Sequence, residues 1–189
     1  MVLEEQRFLV KVKLVVAHPD DCCIFGWPIV NLTKHNWDWS ITYLTYNDTD
    51  PRAQEARNFW NQYNIKTTFL GFEDHYRDLE QGYITTFDEA LAEESLIANL
   101  NKDCALIVTH NEDGEYGHIH HMFVHKIANK MPQPKIYFAN DTNYTLGIRA
   151  PEFDLDYWPL HKEVIVGFTN RLDGKYHVTP EARANQVYL

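Results

Sequence analysis

Residues 8–17 read FLVKVKLVVA and are followed at residues 18–21 by HPDD. The segment begins with a period-two alternation of apolar and charged side chains and ends as a continuous apolar run. This pattern predicts a β-strand that enters a sheet covered on both faces. The change to HPDD predicts that the strand ends there and that polar side chains follow its carboxyl end.

The rest of the chain alternates predicted strands with predicted helices. Apolar, β-branched or aromatic runs predict strands at residues 39–46, 66–70, 105–109 and 135–139. Helices are predicted at residues 22–35, where Gly26 and Pro28 disturb the first turns, at 52–63, from a capping box of Thr86 and Glu89 to about residue 100, and at 118–130. Residues 73–83 and 110–117 are predicted loops.

This alternation predicts an α/β fold of the Rossmann-like type, with a mostly parallel sheet and helices on both faces. We expect a single domain over residues 1–189. A strand at residues 164–168 and a short helix at 180–187 are also expected.

The net charge and the cysteine content limit which binding partners and which cellular compartment we expect for the protein. Lys and Arg number 17 and Asp and Glu 27, a net charge of −10, which argues against a nucleic-acid or anionic membrane partner. A small neutral substrate is compatible with this charge. No apolar stretch approaches the roughly 20 residues of a membrane span. Three cysteines, two of them adjacent, do not form a disulfide framework and predict a reducing, cytoplasmic location.

Two groups of metal-competent side chains follow predicted strands. The first is HPDD at residues 18–21, and the second is YGHIHH at residues 116–121. If the two strands are neighbours in a parallel sheet, both groups lie at one edge, where ligands bind in such folds. His18, Asp21 and His121 would form a two-His, one-carboxylate site for a catalytic zinc ion. Fe²⁺ is compatible with the same ligands.

The neighbouring polar residues suggest the remaining catalytic groups. Asp20 can stay off the metal and accept a proton from water, while bound zinc activates that water and polarises an amide carbonyl. His118 lies one helical turn before His121 and can donate a proton or stabilise an oxyanion. Tyr116 can add a hydrogen bond to the developing charge.

Three other histidines leave alternatives open. His125 is spaced i, i+4 from His121, so those two can chelate together; we favour His121 with the first group because His125 lies deeper in the helix. His120 is expected on a different helix face from His118 and His121, as a surface group or as support for a ligand. His110 ends a strand, where it either orients a ligand, lines a pocket or only packs.

The motif AHPDD, with YGHxxH further along the chain, resembles the PIG-L/LmbE-like family of zinc N-deacetylases. The resemblance covers roughly residues 8–140 and implies a Rossmann-like fold, the zinc ligands His18, Asp21 and His121, and Asp20 as general base. It implies His118 as a second catalytic group and Tyr116 as a mobile tyrosine. Arg52 with Glu55 resembles the family's Arg-x-x-Glu after the second strand, and Asp74 resembles an aspartate that contacts sugar hydroxyls. Arg52 and Asp74 are the expected substrate-binding residues. Cys22 and His120 replace the family's frequent Glu and Asp.

The expected reaction is therefore hydrolysis of the N-acetyl group of an amino sugar, releasing acetate and a free amine. Two alternatives stay open: a metal-dependent hydrolase of another bond, such as a phosphoester, and a sugar- or metal-binding module without catalysis. The exact sugar and the oligomeric state do not follow from the sequence.

Overall fold

The computed structural model describes residues 9–79 and 82–138, in which a five-stranded sheet forms the centre of the molecule. The strands, in chain order, are β1 (Val10–Val16), β2 (Trp37–Thr45), β3 (Lys66–Phe72), β4 (Tyr76–Leu79), β5 (Gly82–Thr85), β6 (Leu106–Thr109) and β7 (Lys135–Tyr137). The main sheet has the order β3-β2-β1-β6-β7, and every neighbouring pair in it is parallel.

The helices cover both faces of this sheet. They are α1 (Trp27–Thr33), α2 (Pro51–Asn61), α3 (Glu89–Leu100), α4 (Gly114–Gly117) and α5 (Ile119–Ala128), and a π-helical turn, Cys22–Gly26, precedes α1. Successive side chains of a strand point to opposite faces. Val12, Leu14 and Val16 of β1 accordingly join a core cluster with residues of α1 and α2, while Val15 packs with α3 and α5. The predicted Rossmann-like α/β fold is confirmed.

The first helix begins late, as the positions of Gly26 and Pro28 predict. The chain forms a π-helical turn directly after Asp21, and Pro28 lies in the first turn of α1, where its missing N–H costs nothing. A Cβ atom on Gly26 would lie 2.8 Å from Cδ2 of Leu14. A glycine at this position therefore lets the chain approach β1 closely.

The predicted loop at residues 73–83 is wrong. β4 and β5 pair with each other as an antiparallel hairpin, with Tyr76 opposite Thr85 and Leu79 opposite Gly82. The hairpin is a sheet of its own beside the main sheet. Its strands are short and polar, so the alternation that reveals a half-buried strand is weak in this segment.

The predicted capping box at Thr86 and Glu89 is also wrong. Asp88 caps α3, since its carboxylate accepts hydrogen bonds from the backbone N–H groups of Ala90 (3.0 Å) and Leu91 (3.1 Å). The Thr86 hydroxyl instead donates to the carbonyl of His75. Aspartate is at least as good an N-cap as threonine, and it lies two residues closer to the helix.

Residues 110–117, predicted as a loop, contain the single-turn helix α4. Gly114 and Gly117 have φ angles of +61° and +89°, which glycine adopts without strain. The predicted helix at residues 118–130 corresponds to α5, which begins one residue later because His118 is its N-cap. The strand and helix expected at 164–168 and 180–187 lie outside the described residues, and the single domain over 1–189 stays a prediction. Within the described part, every helix is too short or too polar to cross a bilayer.

Candidate metal centre and active site

The carboxyl ends of β1 and β6 form the floor of the candidate site. The two strands are paired with Val15 opposite Thr109, so the residues that follow each strand leave the sheet side by side. From β1 the chain builds β2 and β3 on one side and later returns to β6 on the other. The strand order therefore reverses between β1 and β6, and ligands in open α/β sheets bind at the carboxyl ends of the strands where this reversal occurs.

The three residues predicted as metal ligands lie together. Nδ1 of His18 is 3.2 Å from Oδ2 of Asp21 and 3.2 Å from Nε2 of His121. Oδ1 of Asp21 is also 3.2 Å from Nε2 of His121. His18, Asp21 and His121 are only 6%, 2% and 0% exposed. Two imidazoles and a carboxylate therefore converge in a buried position.

Several overlapping sets of side chains in this region have donor atoms close enough to hold a metal ion. The sets are His18 with His118 and His121, His18 with Asp74 and His120, Asp21 with His110 and His121, and His18 with Asp20 and Asp21. His18 belongs to three of them, and hydrogen bonds help to decide which of the donor atoms are available.

His110 is part of the framework around the ligands. Its Nε2 accepts a hydrogen bond from the backbone N–H of Ala17 at 3.0 Å, and its Nδ1 lies 2.8 Å from a carboxylate oxygen of Glu115. An N–H group can only donate, so Nε2 is the acceptor and Nδ1 carries the proton. His110 thereby ties the end of β6 to the end of β1.

Hydrogen bonds also restrict the ring nitrogens of His118 and His125. Nδ1 of His118 accepts from the backbone N–H of His120 at 3.3 Å, which caps α5 and leaves the proton of a neutral ring on Nε2. His125 donates from Nδ1 to the carbonyl of His110 and its Nε2 pairs with the amide of Asn129. Both nitrogens of His125 are thus engaged away from His121, and the i, i+4 chelate is not formed.

His120 is fully buried, so the alternative that it is a surface group is excluded. Its Nδ1 lies 3.1 Å from Nε2 of His18, and Oδ1 of Asp74 lies 3.1 Å from the same nitrogen. The second nitrogen of His18 therefore faces a carboxylate and another imidazole. Nδ1 of His18 meets Asp21 and His121 in the same way, so the set of His18, Asp74 and His120 is the geometric alternative to the predicted ligands.

A second cluster links the two residues implied to bind the sugar. The Tyr46 hydroxyl donates to Oδ2 of Asp74 at 2.5 Å and accepts from the Arg52 guanidinium. Nη2 of Arg52 lies 3.3 Å from Oδ1 of Asp20, and Nη1 lies 3.4 Å from Oδ2 of Asp74. Arg52 therefore bridges the predicted general base and Asp74.

The two adjacent aspartates have opposite electrostatic environments. Burial and the neighbouring Asp21 carboxylate raise the pKa of Asp20, and Arg52 opposes them only in part. Burial also acts to raise the pKa of Asp21, but His121 and His18 outweigh it and hold that pKa well below its usual value. Asp21 therefore stays ionised while Asp20 binds protons more readily.

Two residues of the site were missed by prediction from the sequence. Glu115 lies 2.6 Å from Nδ1 of His121 and 2.8 Å from Nδ1 of His110, yet nothing local distinguishes it from Glu112. Tyr46, directly after β2, looks in the sequence like one more aromatic residue of a strand. Tyr116 belongs to α4, and its catalytic role stays a prediction.

Comparisons with known proteins identify the family and the fold. The model of the PIG-L family, described as GlcNAc-PI de-N-acetylase, matches residues 13–131. Uncharacterized protein L374 of Acanthamoeba polyphaga mimivirus is 28% identical over 144 residues, which cover 69% of this chain and 62% of that protein. The chain thus spans less than two thirds of this relative's length.

Two solved structures are similar in fold. Conserved protein TT1542 from Thermus thermophilus has a TM-score of 0.54 and 15% identity, over 94% of this chain and 85% of its own. GalB, the 4-carboxy-2-hydroxymuconate hydratase from Pseudomonas putida, has a TM-score of 0.50 and 12% identity, over 95% of this chain and 93% of its own. Likeness at this level of identity shows the fold alone, and function has to be argued from the site.

Proposed function

The chain belongs to the PIG-L family, a family of deacetylase-type hydrolases, and we propose that it is a zinc-dependent enzyme that removes the N-acetyl group from an amino sugar or glycoconjugate. The products are acetate and the free amine. The substrate is a small N-acetylated sugar, and the cytoplasmic location predicted from the cysteines belongs to the same proposal.

The observation that carries the proposal is the spacing of the donor atoms of His18, Asp21 and His121. Zinc binds histidine nitrogen and carboxylate oxygen at about 2.0–2.2 Å, so tetrahedral ligand atoms are about 3.3–3.5 Å apart. The two histidine nitrogens are 3.2 Å apart, and each lies 3.2 Å from one oxygen of Asp21, Oδ2 for His18 and Oδ1 for His121, which is close to this requirement. Fe²⁺ also accepts two histidines and a carboxylate, so metal analysis of the purified protein has to distinguish the two ions.

The residues around the ligands suit hydrolysis of an amide. Bound zinc supplies a Lewis acid that polarises the acetyl carbonyl and lowers the pKa of water. Asp20 accepts the proton of the attacking water and returns it to the nitrogen of the departing amine, and its raised pKa favours this role. Arg52, 3.3 Å from Asp20, holds that carboxylate in position.

His118 serves as a hydrogen-bond donor to the oxygen of the acetyl group. Burial and the nearby His18 lower the pKa of His118 to about 2, so its ring is neutral at physiological pH. Because Nδ1 accepts the capping hydrogen bond, the proton of the neutral ring is on Nε2. Tyr116 adds a second hydrogen bond, while Arg52 and Asp74 hold sugar hydroxyls.

The test is a panel of substrates assayed with protein of defined zinc content. The panel contains N-acetylglucosamine, its glycosides, an N-acetylglucosaminyl inositol and a phosphomonoester, and released amine or phosphate is measured. We expect amine release from at least one N-acetylated sugar. Zinc-loaded protein without activity on any of these sugars, or protein that stays metal-free in excess zinc, would contradict the proposal.

The Asp20→Asn variant separates an enzyme from a binding module. We expect it to retain zinc and the fold and to lose about 10²–10⁴-fold in kcat, the usual contribution of a general base. Asp38→Asn, in an exposed position of β2, is the matched control and should keep full activity. If both variants turned over substrate at the same rate, Asp20 would not be the base.

A further inference from the structure

The carboxylate of Glu115 lies between two buried imidazoles. Its Oε2 is 2.6 Å from Nδ1 of His121 and 2.8 Å from Nδ1 of His110, and the Glu115 side chain is completely buried. The two rings stack on each other with centroids 3.9 Å apart. A single oxygen therefore receives both ring N–H groups.

The second carboxylate oxygen of Glu115, Oε1, is held by Asn111. Oε1 accepts the N–H of Asn111 at 3.0 Å, and the N–H of Glu115 donates to Oδ1 of Asn111 at 3.1 Å. These reciprocal bonds fix the carboxylate relative to the loop after β6. The donor partners of the carboxylate are thus on two elements, that loop and α5.

Glu115 has a φ angle of +59°, in the left-handed region that a residue with a side chain adopts at a cost. Glycine would adopt this conformation without strain. A buried glutamate at such a position is therefore not explained by the shape of the turn. The contacts of the carboxylate explain why a glutamate stands at this position.

The bonds to Glu115 determine which nitrogen each histidine presents. His121 donates from Nδ1, which leaves the lone pair of Nε2 directed at Nδ1 of His18 and at Asp21. His110 also donates from Nδ1, which leaves Nε2 to accept the N–H of Ala17. One carboxylate thereby orients a metal ligand and anchors the end of the strand that carries the other two.

We propose that Glu115 is a positioning residue that orients His121 as a metal ligand and, through His110, holds the turn of His18 and Asp21 against it. The inference rests on the proposed function in one respect, namely that His18, Asp21 and His121 bind the zinc ion. Histidine ligands commonly donate their second N–H to a carboxylate, and loss of that carboxylate weakens metal binding.

The test measures zinc affinity directly, by competition with a chromophoric chelator, for Glu115→Gln and for Glu112→Gln. Glu112 is exposed in the same loop and is the matched control. We expect the dissociation constant of Glu115→Gln to rise about 10–100-fold and that of the control to stay unchanged. The visible spectrum of the cobalt(II)-substituted protein should also change for Glu115→Gln, because His121 no longer has a fixed orientation.

A second variant keeps the test decisive if Glu115→Gln does not fold. Glu115→Gly removes the carboxylate and relieves the left-handed strain, so we expect a folded protein with a similarly weakened zinc affinity. Wild-type zinc affinity in either folded Glu115 variant would overturn the inference but leave the proposed function intact. A wild-type protein that binds no zinc would overturn both.

Discussion

The histidines at the site differ in what holds each ring. His118 caps a helix with Nδ1, His110 accepts a strand N–H with Nε2, and His121 donates from Nδ1 to Glu115. These bonds determine the role of the second nitrogen of each ring, since a neutral imidazole has one donor and one acceptor. The contacts of each imidazole therefore decide its role: His121 is a proposed ligand, His110 supports the framework, and His118 is a hydrogen-bond donor.

Tyr46 is the residue whose importance is easiest to test. Its hydroxyl donates to Asp74 and accepts from Arg52, two residues implied to bind the sugar. A hydrogen bond to a charged group contributes about 1.5–3 kcal/mol. We expect Tyr46→Phe to lower kcat/KM by about tenfold or more, mainly through KM, because Asp74 and Arg52 lose their fixed positions.

Steady-state kinetics on the substrate found in the panel would measure this effect. Tyr137→Phe is the control, because Tyr137 is 42% exposed and its hydroxyl bonds to Asn129. Equal kinetics for the two variants would show that the Tyr46 hydroxyl does not organise the sugar-binding residues.

Among the helices, α3 shows how a single cap defines where an element begins. Asp88 accepts two N–H groups at the start of α3, whereas Thr86 bonds to His75 and the Thr85 hydroxyl donates to Glu89. The first N–H groups of a helix have no partner within the helix, so an exposed cap has a measurable effect on stability.

We expect Asp88→Ala to reduce the free energy of unfolding by about 1 kcal/mol and Thr86→Ala to reduce it by less than half of that. Urea denaturation of both variants, compared with the wild type at one pH, measures the difference. A larger loss for Thr86→Ala would mean that the capping box predicted from the sequence forms after all.

The sheet as a whole brings distant parts of the chain together. β1 lies in the middle of the order β3-β2-β1-β6-β7, and its carboxyl end meets that of β6. The turn at His18 and the helix that begins after His118 therefore face each other. Helices on both faces bury the strands, and buried polar side chains collect at this end of the sheet.

The concentration of buried histidines predicts how the stability of metal-free protein depends on pH. Burial and the nearby His18 lower the pKa of His118 to about 2 and that of His120 to about 4. The unfolded chain takes up these protons below about pH 6.5 and the folded one does not, so stability falls as the pH decreases. Burial opposes protonation of His18, but Asp74 and Asp21 outweigh it and raise the pKa of His18 well above 6.5.

The stabilisation from His18 is fully present below about pH 6.5 and is lost as the pH rises through its folded-state pKa. We therefore expect the metal-free protein to be most stable near pH 6.5. Denaturation midpoints in the presence of a chelator, measured from pH 4.5 to 9, test this. A stability that rises steadily over the whole range would contradict the expected maximum.

The pattern of the chain predicted the fold well where each segment carries its own periodicity. The strands of the main sheet and the long helices were predicted with end errors of a few residues, because burial on one or both faces leaves a regular apolar pattern. The β4–β5 hairpin was not predicted, since two short polar strands that pair only with each other need no such pattern.

The motifs around residues 18–21 and 116–121 were sufficient to select the residues that converge, because histidine and aspartate after parallel strands have few other uses. They could not rank five nearby histidines or select Glu115 and Tyr46. Those assignments depend on which ring nitrogen meets which partner across elements. Such contacts depend on the packing of α4 and α5 against β1 and β6, and no local sequence pattern predicts them.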